Sequence, residues 1–551
     1  METLVELFTA RMESSSDRPF LIETQKTWTY QQIGDSASRF ATELERAGIQ
    51  PGDRVGLLLE NSADYVIAYF AILLTGGTVV AINPDTTALE LQRTLVRCRP
   101  KLAIVRPQHA MFFAELAEDF SSLQQIYIVA TKKKKKAEVP QGFPFSTCFI
   151  TDWNDLSPSQ SQDIKQIFPA KKESTAQIIF TSGTSGTPKG VCLSHQNLLA
   201  NTRSICQYLQ LSHEDRMMVI LPFFYSYGNS LLLTHLFVGG SLILAKDFVF
   251  WNRTLDQMQQ HQATGFAGVP STFAMLLHRS DLAKREWPHL RYLTCAGGGL
   301  APAQAEALQN TLPQSELFLM YGQTEASARL SVLMPADRER KSGSIGKGIP
   351  GVQLELFVPR TEQSEDSSED ETQVVWKPGE IGEVVAQGDN LMQGYWEDPT
   401  TTQEVLRPEG LRTGDLAWRD EEGFFYLVGR SSDLIKSGAY RIHPKEIEDI
   451  LLTHPSLAEV AVIGKPDPML GEIAVAVGVL SDRDQAKDQE VLHKEILQTQ
   501  QKKLPRWKQI KHIYFQKSLP KTSSGKIRRK ELKKLWEEKT STFTKDVAIT
   551  K

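Results

Sequence analysis

The stretch Ile178-Ile179-Phe180-Thr181-Ser182-Gly183-Thr184-Ser185-Gly186-Thr187-Pro188-Lys189-Gly190-Val191 constrains this chain more than any other. An apolar, β-branched run of strand composition stops at a cluster of hydroxyls and glycines that holds one lysine. Glycine reaches backbone shapes closed to other residues and leaves amide N–H groups uncovered, so that they can face an anion. Thr181, Ser182, Thr184, Ser185 and Thr187 add hydroxyl donors, and Lys189 adds a charge. In composition this is a phosphate-gripping loop. It is not a Walker loop, which needs glycine before the lysine and serine or threonine after it. Here Pro188 precedes Lys189 and Gly190 follows. Composition alone also suits a plain Ser/Gly turn between two strands.

The residues around this loop set the fold class. Thr27–Tyr30 precedes a helix that runs to Ala47, and Arg54–Leu59 reads as a buried strand. Asp64–Leu74 is helical, Thr78–Ile82 is a strand, and Lys101–Val105 continues the series. Strands and helices alternating at this length predict a mostly parallel sheet covered by helices, an α/β protein. Asn197–Leu209 reads as a helix, Met218–Pro222 as a strand and Gly379–Gly388 as a β-hairpin. From Ser431 onward the pattern turns α+β. Pro444 stands at a helix start, with Ile447, Ile450 and Leu451 at helical spacing. The expected organisation is a large N-terminal domain, 1–430, of mixed, mostly parallel sheets, and a small α+β domain, 431–551.

Bulk properties narrow the function. A net charge of −4 gives no argument for nucleic acid. Lys132–Lys136 is a run of lysine only, without interleaved aromatics, and reads as a solvated loop rather than a nucleic-acid or membrane patch. Arg360–Gln373 is acidic and lacks apolar anchors, which suits a surface loop. The most apolar stretch, Tyr65–Leu74, is too short to span a bilayer and reads as a buried helix. The N-terminal residues lack the basic start and apolar core of a signal peptide. Cys98, Cys148, Cys192, Cys206 and Cys295 form no CxxC pair, as expected of a reducing compartment without a zinc site. The expectation is a cytoplasmic protein without a membrane span.

Two further motifs carry chemistry. In Tyr321-Gly322-Gln323-Thr324-Glu325, a strand delivers an aromatic, a hydroxyl and a carboxylate within five positions. Tyr321 can stack on adenine, Thr324 can hydrogen-bond an α-phosphate, and Glu325 can hold Mg²⁺ together with phosphate oxygens. Phe223–Ser230 follows a strand end, and its aromatics and Gly228 suit a small-molecule pocket around Tyr225, Ser226 and Tyr227.

The order S-G-T-S-G-T-P-K-G resembles the signature loop of the adenylate-forming superfamily of acyl-CoA synthetases, adenylation domains and luciferases. The later motifs extend the likeness over nearly the whole chain, of the acyl-acid ligase type. The resemblance implies that Gly298 and Gly299 form an adenine-contacting loop with Tyr321 and Gly322. It also implies that Asp415 and Arg430 bind the ribose, with Lys436 counted among the ATP-binding residues. Pro520-Lys521-Thr522-Ser523-Ser524-Gly525-Lys526 looks like the C-terminal catalytic loop, with Lys526 as its lysine. Ser432 stands at the hinge, where the family usually has Asp or Lys. Gly438 and Ala439 would face an incoming pantetheine. Tyr225 stands where the family usually has His. Ser226 offers no carboxylate for an α-amine, which favours a non-amino acid.

The implied activity is an ATP- and Mg²⁺-dependent ligase that makes an acyl-AMP from a carboxylic acid. It then passes the acyl group to the thiol of CoA or of phosphopantetheine on an acyl carrier protein. A stand-alone amino-acid-activating adenylation enzyme is the alternative.

Overall fold

Hydroxyl caps start the early helices. Thr29 accepts from the amide of Gln32, whose side chain accepts from the Thr29 amide at 3.1 Å, so the helix Tyr30–Arg46 begins in a closed capping box. Ser62 caps the helix Ala63–Leu74, which is buried at nearly every position; this explains why its sequence is apolar all round rather than striped. The computed structural model describes residues 1–115, 119–120, 122–130, 145–156, 170–182, 188–245, 250–358, 374–375, 377–430, 433–438, 440–481, 484, 488–501, 503–521 and 527–535. The lysine run Lys132–Lys136 and the acidic stretch Arg360–Gln373 lie outside them.

Two large sheets carry the N-terminal part. In the first, of eight strands, Ser146–Ile150, Gln125–Val129, Leu102–Val105, Arg54–Leu58, Thr78–Ala81 and Thr175–Ser182 run parallel. Pro188–Ser194 and then Gly394–Tyr395 add antiparallel to Thr175–Ser182. In the second, of nine, Pro19–Ile22, Ser241–Leu244, Arg216–Val219, Gly265–Gly268, Tyr292–Cys295 and Glu316–Tyr321 are parallel, with antiparallel strands at both edges. The Ser/Gly loop, the Gly297–Gly299 loop and the Gly322–Glu325 turn therefore all leave the carboxyl ends of parallel strands, where open α/β sheets bind ligands.

A third sheet holds Val352–Phe357, Gly382–Gly388, Gly410–Arg419, Leu406–Arg407 and Phe425–Arg430, all antiparallel. Gly379–Gly388 is thus not a hairpin. Gly379, at φ 85°, belongs to the preceding turn, and Gly382–Gly388 is one strand flanked on both sides, with Val384, Val385 and Ala386 buried.

The fourth sheet pairs Ile435–Ser437 with Tyr440–Ile442 and Gly471–Leu480, and the latter also with Leu457–Asp467 and Ile513–Phe515. Its two faces have separate apolar cores. One gathers Ile447, Leu451, Val460, Val462 and Leu492, and the other Ala461, Ile463, Val475, Val477 and Leu532. None of the described residues before Ile435 enters either core. Among the described residues, no helix is long and apolar enough to cross a membrane.

Candidate active site

The turn Gly322–Ser327 is forced into shape by its neighbours. A Cβ on Gly322 would stand 2.0 Å from the Ala328 carbonyl oxygen and 2.7 Å from Arg329 Cα, so only glycine lets the chain double back there. The Leu330 amide donates to the Tyr321 carbonyl at 2.8 Å, closing the return. Thr324–Ala326 forms a 3₁₀ turn, and Ser327 takes φ 60° to leave it.

Three contacts radiate from this turn. At its start, the Tyr321 hydroxyl donates to Asp415 Oδ2 at 2.7 Å. Asp415 pairs across the third sheet with Arg430, whose Nε donates to Asp415 Oδ1 at 3.1 Å. Burial first, and the nearby Asp415 charge second, push the Tyr321 phenol well above its ordinary pKa, so it stays a donor. The Asp415 charge also raises Arg430. At the centre, Thr324 Oγ1 and Ser226 Oγ stand 3.4 Å apart. At the end, Glu325 Oε1 accepts from the Tyr395 hydroxyl at 2.9 Å, and its carbonyl accepts from the Met392 amide at 2.8 Å. Tyr395 faces Lys189, whose Nζ lies 5.1 Å from the ring centroid. Lys189, on the strand Pro188–Ser194, thereby joins the cluster. Thr181 pairs with Lys189 and Ser182 with Pro188 at the hairpin mouth.

Ser226 opens the helix Ser226–Val238, with Tyr225 at its N-cap and the Tyr225 ring 4.6 Å from that of Phe224. Tyr227 is pinned by its hydroxyl, which donates to the Thr294 carbonyl at 2.9 Å. A Cβ on Gly228 would meet the Pro222 carbonyl oxygen at 2.0 Å, so this helix start packs directly on the strand end behind it. Gly298 and Gly299 are exposed on the loop after Tyr292–Cys295, beside the strand that delivers Tyr321. A Cβ on Gly299 would meet Lys445 Cε at 2.8 Å, on the helix Pro444–Leu451.

The remaining predicted positions lie on the fourth sheet. Lys436 is exposed on Ile435–Ser437, its amide donating to Glu472 Oε2 at 3.0 Å. Gly438, at φ 56°, turns the chain there and donates to the Leu470 carbonyl at 2.7 Å. Gly183, Thr184, Ser185, Gly186, Thr187, Ser432, Ala439 and Lys526 lie outside the described residues. A bridge between Lys521 and Ile527 brackets the last of these.

Tyr395 received no role from the sequence, because nothing local ties it to a glutamate seventy residues earlier in the chain. Arg329 is a lone cation within Ala326-Ser327-Ala328-Arg329-Leu330-Ser331-Val332-Leu333, a local anomaly that carries no motif of its own. Among the described residues, no group of three or more His, Cys, Asp or Glu is placed to hold a metal. The donor set at this turn is one half-buried carboxylate, Glu325. That fits Mg²⁺, which keeps waters and combines one or two carboxylates with substrate phosphates.

Residues 8–396 match the family described as AMP-binding enzyme, and residues 446–526 match the AMP-binding enzyme C-terminal domain. The long-chain-fatty-acid–CoA ligase of Bacillus subtilis is 30% identical over 556 residues, covering 96% of this chain and 94% of that one. The 4-coumarate–CoA ligase 3 of Arabidopsis thaliana is 30% identical over 537 residues, covering 95% and 89%. The o-succinylbenzoate CoA synthetase of B. subtilis, solved with its acyl-adenylate intermediate, has a TM-score of 0.77 at 25% identity, covering 96% and 97%. The same enzyme with ATP and a magnesium ion has a TM-score of 0.76 at 25% identity, covering 96% and 99%.

Proposed function

This chain belongs to the AMP-binding enzyme family, and we propose that it is an ATP-dependent acid–thiol ligase that converts a carboxylic acid to acyl-AMP and then to an acyl thioester. The observation that carries this reading is the single turn from Tyr321 to Ser327. It touches Asp415, itself held by Arg430, on one side, Ser226 in the middle and Tyr395 on the other. A nucleoside, an acid and a polyphosphate can meet along it.

A carboxylate is a poor acyl donor because its oxygen is a poor leaving group. Attack of a carboxylate oxygen on the α-phosphorus of ATP forms the acyl–phosphate bond and breaks the bond to pyrophosphate. A thiol then attacks the acyl carbon and AMP leaves. The first step asks the protein mainly to bring two anions together and to stabilise growing charge.

Asp415 accepts from the ribose hydroxyls, a task suited to a carboxylate with spare acceptor sites. Tyr321 offers its ring to adenine, beside the backbone of Gly298, Gly299 and Gly322. Thr324 donates to the α-phosphate, and Lys189 with Thr181, Ser182 and the residues 183–187 holds the departing pyrophosphate. Glu325 would hold Mg²⁺, which offsets phosphate charge when bound. Lys526 bridges the acid carboxylate and the α-phosphate. Tyr225, Ser226, Tyr227 and Gly228 line the acid side.

CoA supplies the thiol. A carrier-protein phosphopantetheine offers the same terminal thiol and is a second acceptor we include. The units are 1–430 and 431–551, joined at Ser432, with Lys436, Gly438 and Ala439 turning toward the nucleotide or the thiol as the smaller unit rotates.

The test separates the half-reactions. Lys526→Ala should abolish acid-dependent ATP–pyrophosphate exchange and leave thioester formation from supplied acyl-AMP largely intact. Equal loss of both would contradict the role given to Lys526.

A further inference from the structure

Among the described residues, four cationic side chains are buried: Arg106, Arg329, Lys341 and Arg412. Three are neutralised by carboxylates. Arg106 pairs with Glu60 and Asp64, Lys341 with Asp420 and Glu422, and Arg412 with Glu383 and Glu409. Arg329, 3% exposed, has no ion pair among the described residues. Its Nε donates to Met320 Sδ at 3.3 Å and its Nη1 to the Ala328 carbonyl at 3.3 Å. Its guanidinium lies 3.9 Å from the centroid of the Tyr227 ring. The Tyr208 phenol also faces the guanidinium, but phenol and thioether are uncharged acceptors, and a ring face offsets only part of a desolvated charge. Guanidinium cannot escape by losing its proton. A lone buried cation is costly unless something anionic reaches it.

Its position says what could. The Arg329 backbone packs on Gly322, and its carbonyl accepts from Asn201 Nδ2 at 3.0 Å and Asn390 Nδ2 at 2.9 Å. The side chain lies over the ring of Tyr227, the chain neighbour of Ser226, whose Oγ stands 3.4 Å from Thr324 Oγ1 on the acid side of the proposed site.

We propose that Arg329 receives a second carboxylate, so that the substrate is a dicarboxylic acid held by Arg329 at one end and adenylated at the other. This rests on the acid-activating reading above. It narrows the acid class from any carboxylate to one bearing charge at both ends.

The test is pyrophosphate exchange with a panel of aliphatic and aromatic dicarboxylic acids, each beside its monomethyl ester, which keeps the length and removes one charge. Simple monocarboxylic acids complete the panel. At least one diacid should exceed its own ester by about 100-fold in kcat/KM. Arg329→Met should erase that preference with the KM for ATP unchanged, and Arg329→Lys should keep part of it.

Wild-type enzyme that uses every ester or simple monoacid as well as the diacids overturns the proposal, whether or not the variants fold. So does an Arg329→Met variant that slows diacid and ester by the same factor, which would make the guanidinium a support for Tyr227 alone. Exchange with monoacids only removes this inference and leaves the parent reading standing; exchange with no acid removes both.

Discussion

Tyr395→Phe isolates one hydrogen bond at the metal-side end of the turn. The substitution removes the hydroxyl that donates to Glu325 Oε1 at 2.9 Å and keeps the ring that faces Lys189. Two effects compete. A hydrogen bond to a charged acceptor is worth about 1.5–3 kcal/mol when its geometry is needed, a factor of roughly 10–150 in rate. Against this, Glu325 is half-buried, so water can take the vacated acceptor site and fold stability should fall by no more than about 1 kcal/mol. Activity should therefore drop far more than stability. Burial first, then the Glu325 charge, raises the Tyr395 phenol, so the hydroxyl is a donor across the working pH range and the effect should not vary with pH there. The assay is ATP–pyrophosphate exchange over a Mg²⁺ titration, with urea unfolding alongside. The expected result is a higher half-saturating Mg²⁺ and a rate loss of about 10-fold or more. A variant with wild-type Mg²⁺ dependence, or one whose rate loss tracks its unfolding, would refute the claim that Tyr395 aims Glu325.

Two other outcomes follow from packing and titration. Gly322→Ala puts a Cβ against backbone atoms at 2.0 and 2.7 Å, which have no side-chain freedom to yield. It should cost about 3 kcal/mol in urea unfolding and abolish exchange activity. His195 Nδ1 accepts from the Leu4 amide at 3.2 Å, and burial presses its pKa down to about 4, with Glu6 opposing. Because the folded value lies below the unfolded one, the unfolded chain takes up the proton first as pH falls. Stability is therefore lost from about pH 6.5 down to about 4 and then levels, by about 3 kcal/mol from this group. His195→Asn should be less sensitive by that amount over the same range in pH-dependent urea melts.

Local chemistry made much of the fold readable. Thr29 and Ser62 stand where their helices begin, and the apolar run 65–74, too short to span a bilayer, reads as the buried helix it is. The strands expected from the sequence match the observed ones to within a few residues because each is a short buried run ended by Gly, Pro or a polar cluster. The hairpin expected at Gly379–Gly388 failed for a non-local reason. Its partners are Val352–Phe357 and Gly410–Arg419, and no signal inside the segment names them. Met218–Pro222 was placed late because Ile220, Leu221 and Pro222 are apolar without extending the ladder of Arg216–Val219. The site divides in the same way. Tyr321, Thr324 and Glu325 lie within one short motif and were visible together. Their links to Asp415, Ser226 and Tyr395 join residues 94, 98 and 70 positions apart, which only the folded chain brings together.

The last sheet has its own oily filling on each side. Consequently, tilting that unit against the rest opens neither of those two cores as far as the described residues show. Contacts of a replaceable kind cross the boundary between that unit and the rest. Examples are the Gln304 amide on the Ala458 carbonyl at 3.2 Å and the Lys445 stem lying over Gly299. Water can take over the first, and the second is a flexible stem on bare backbone. An interface of this make-up ties no single orientation to the survival of the fold.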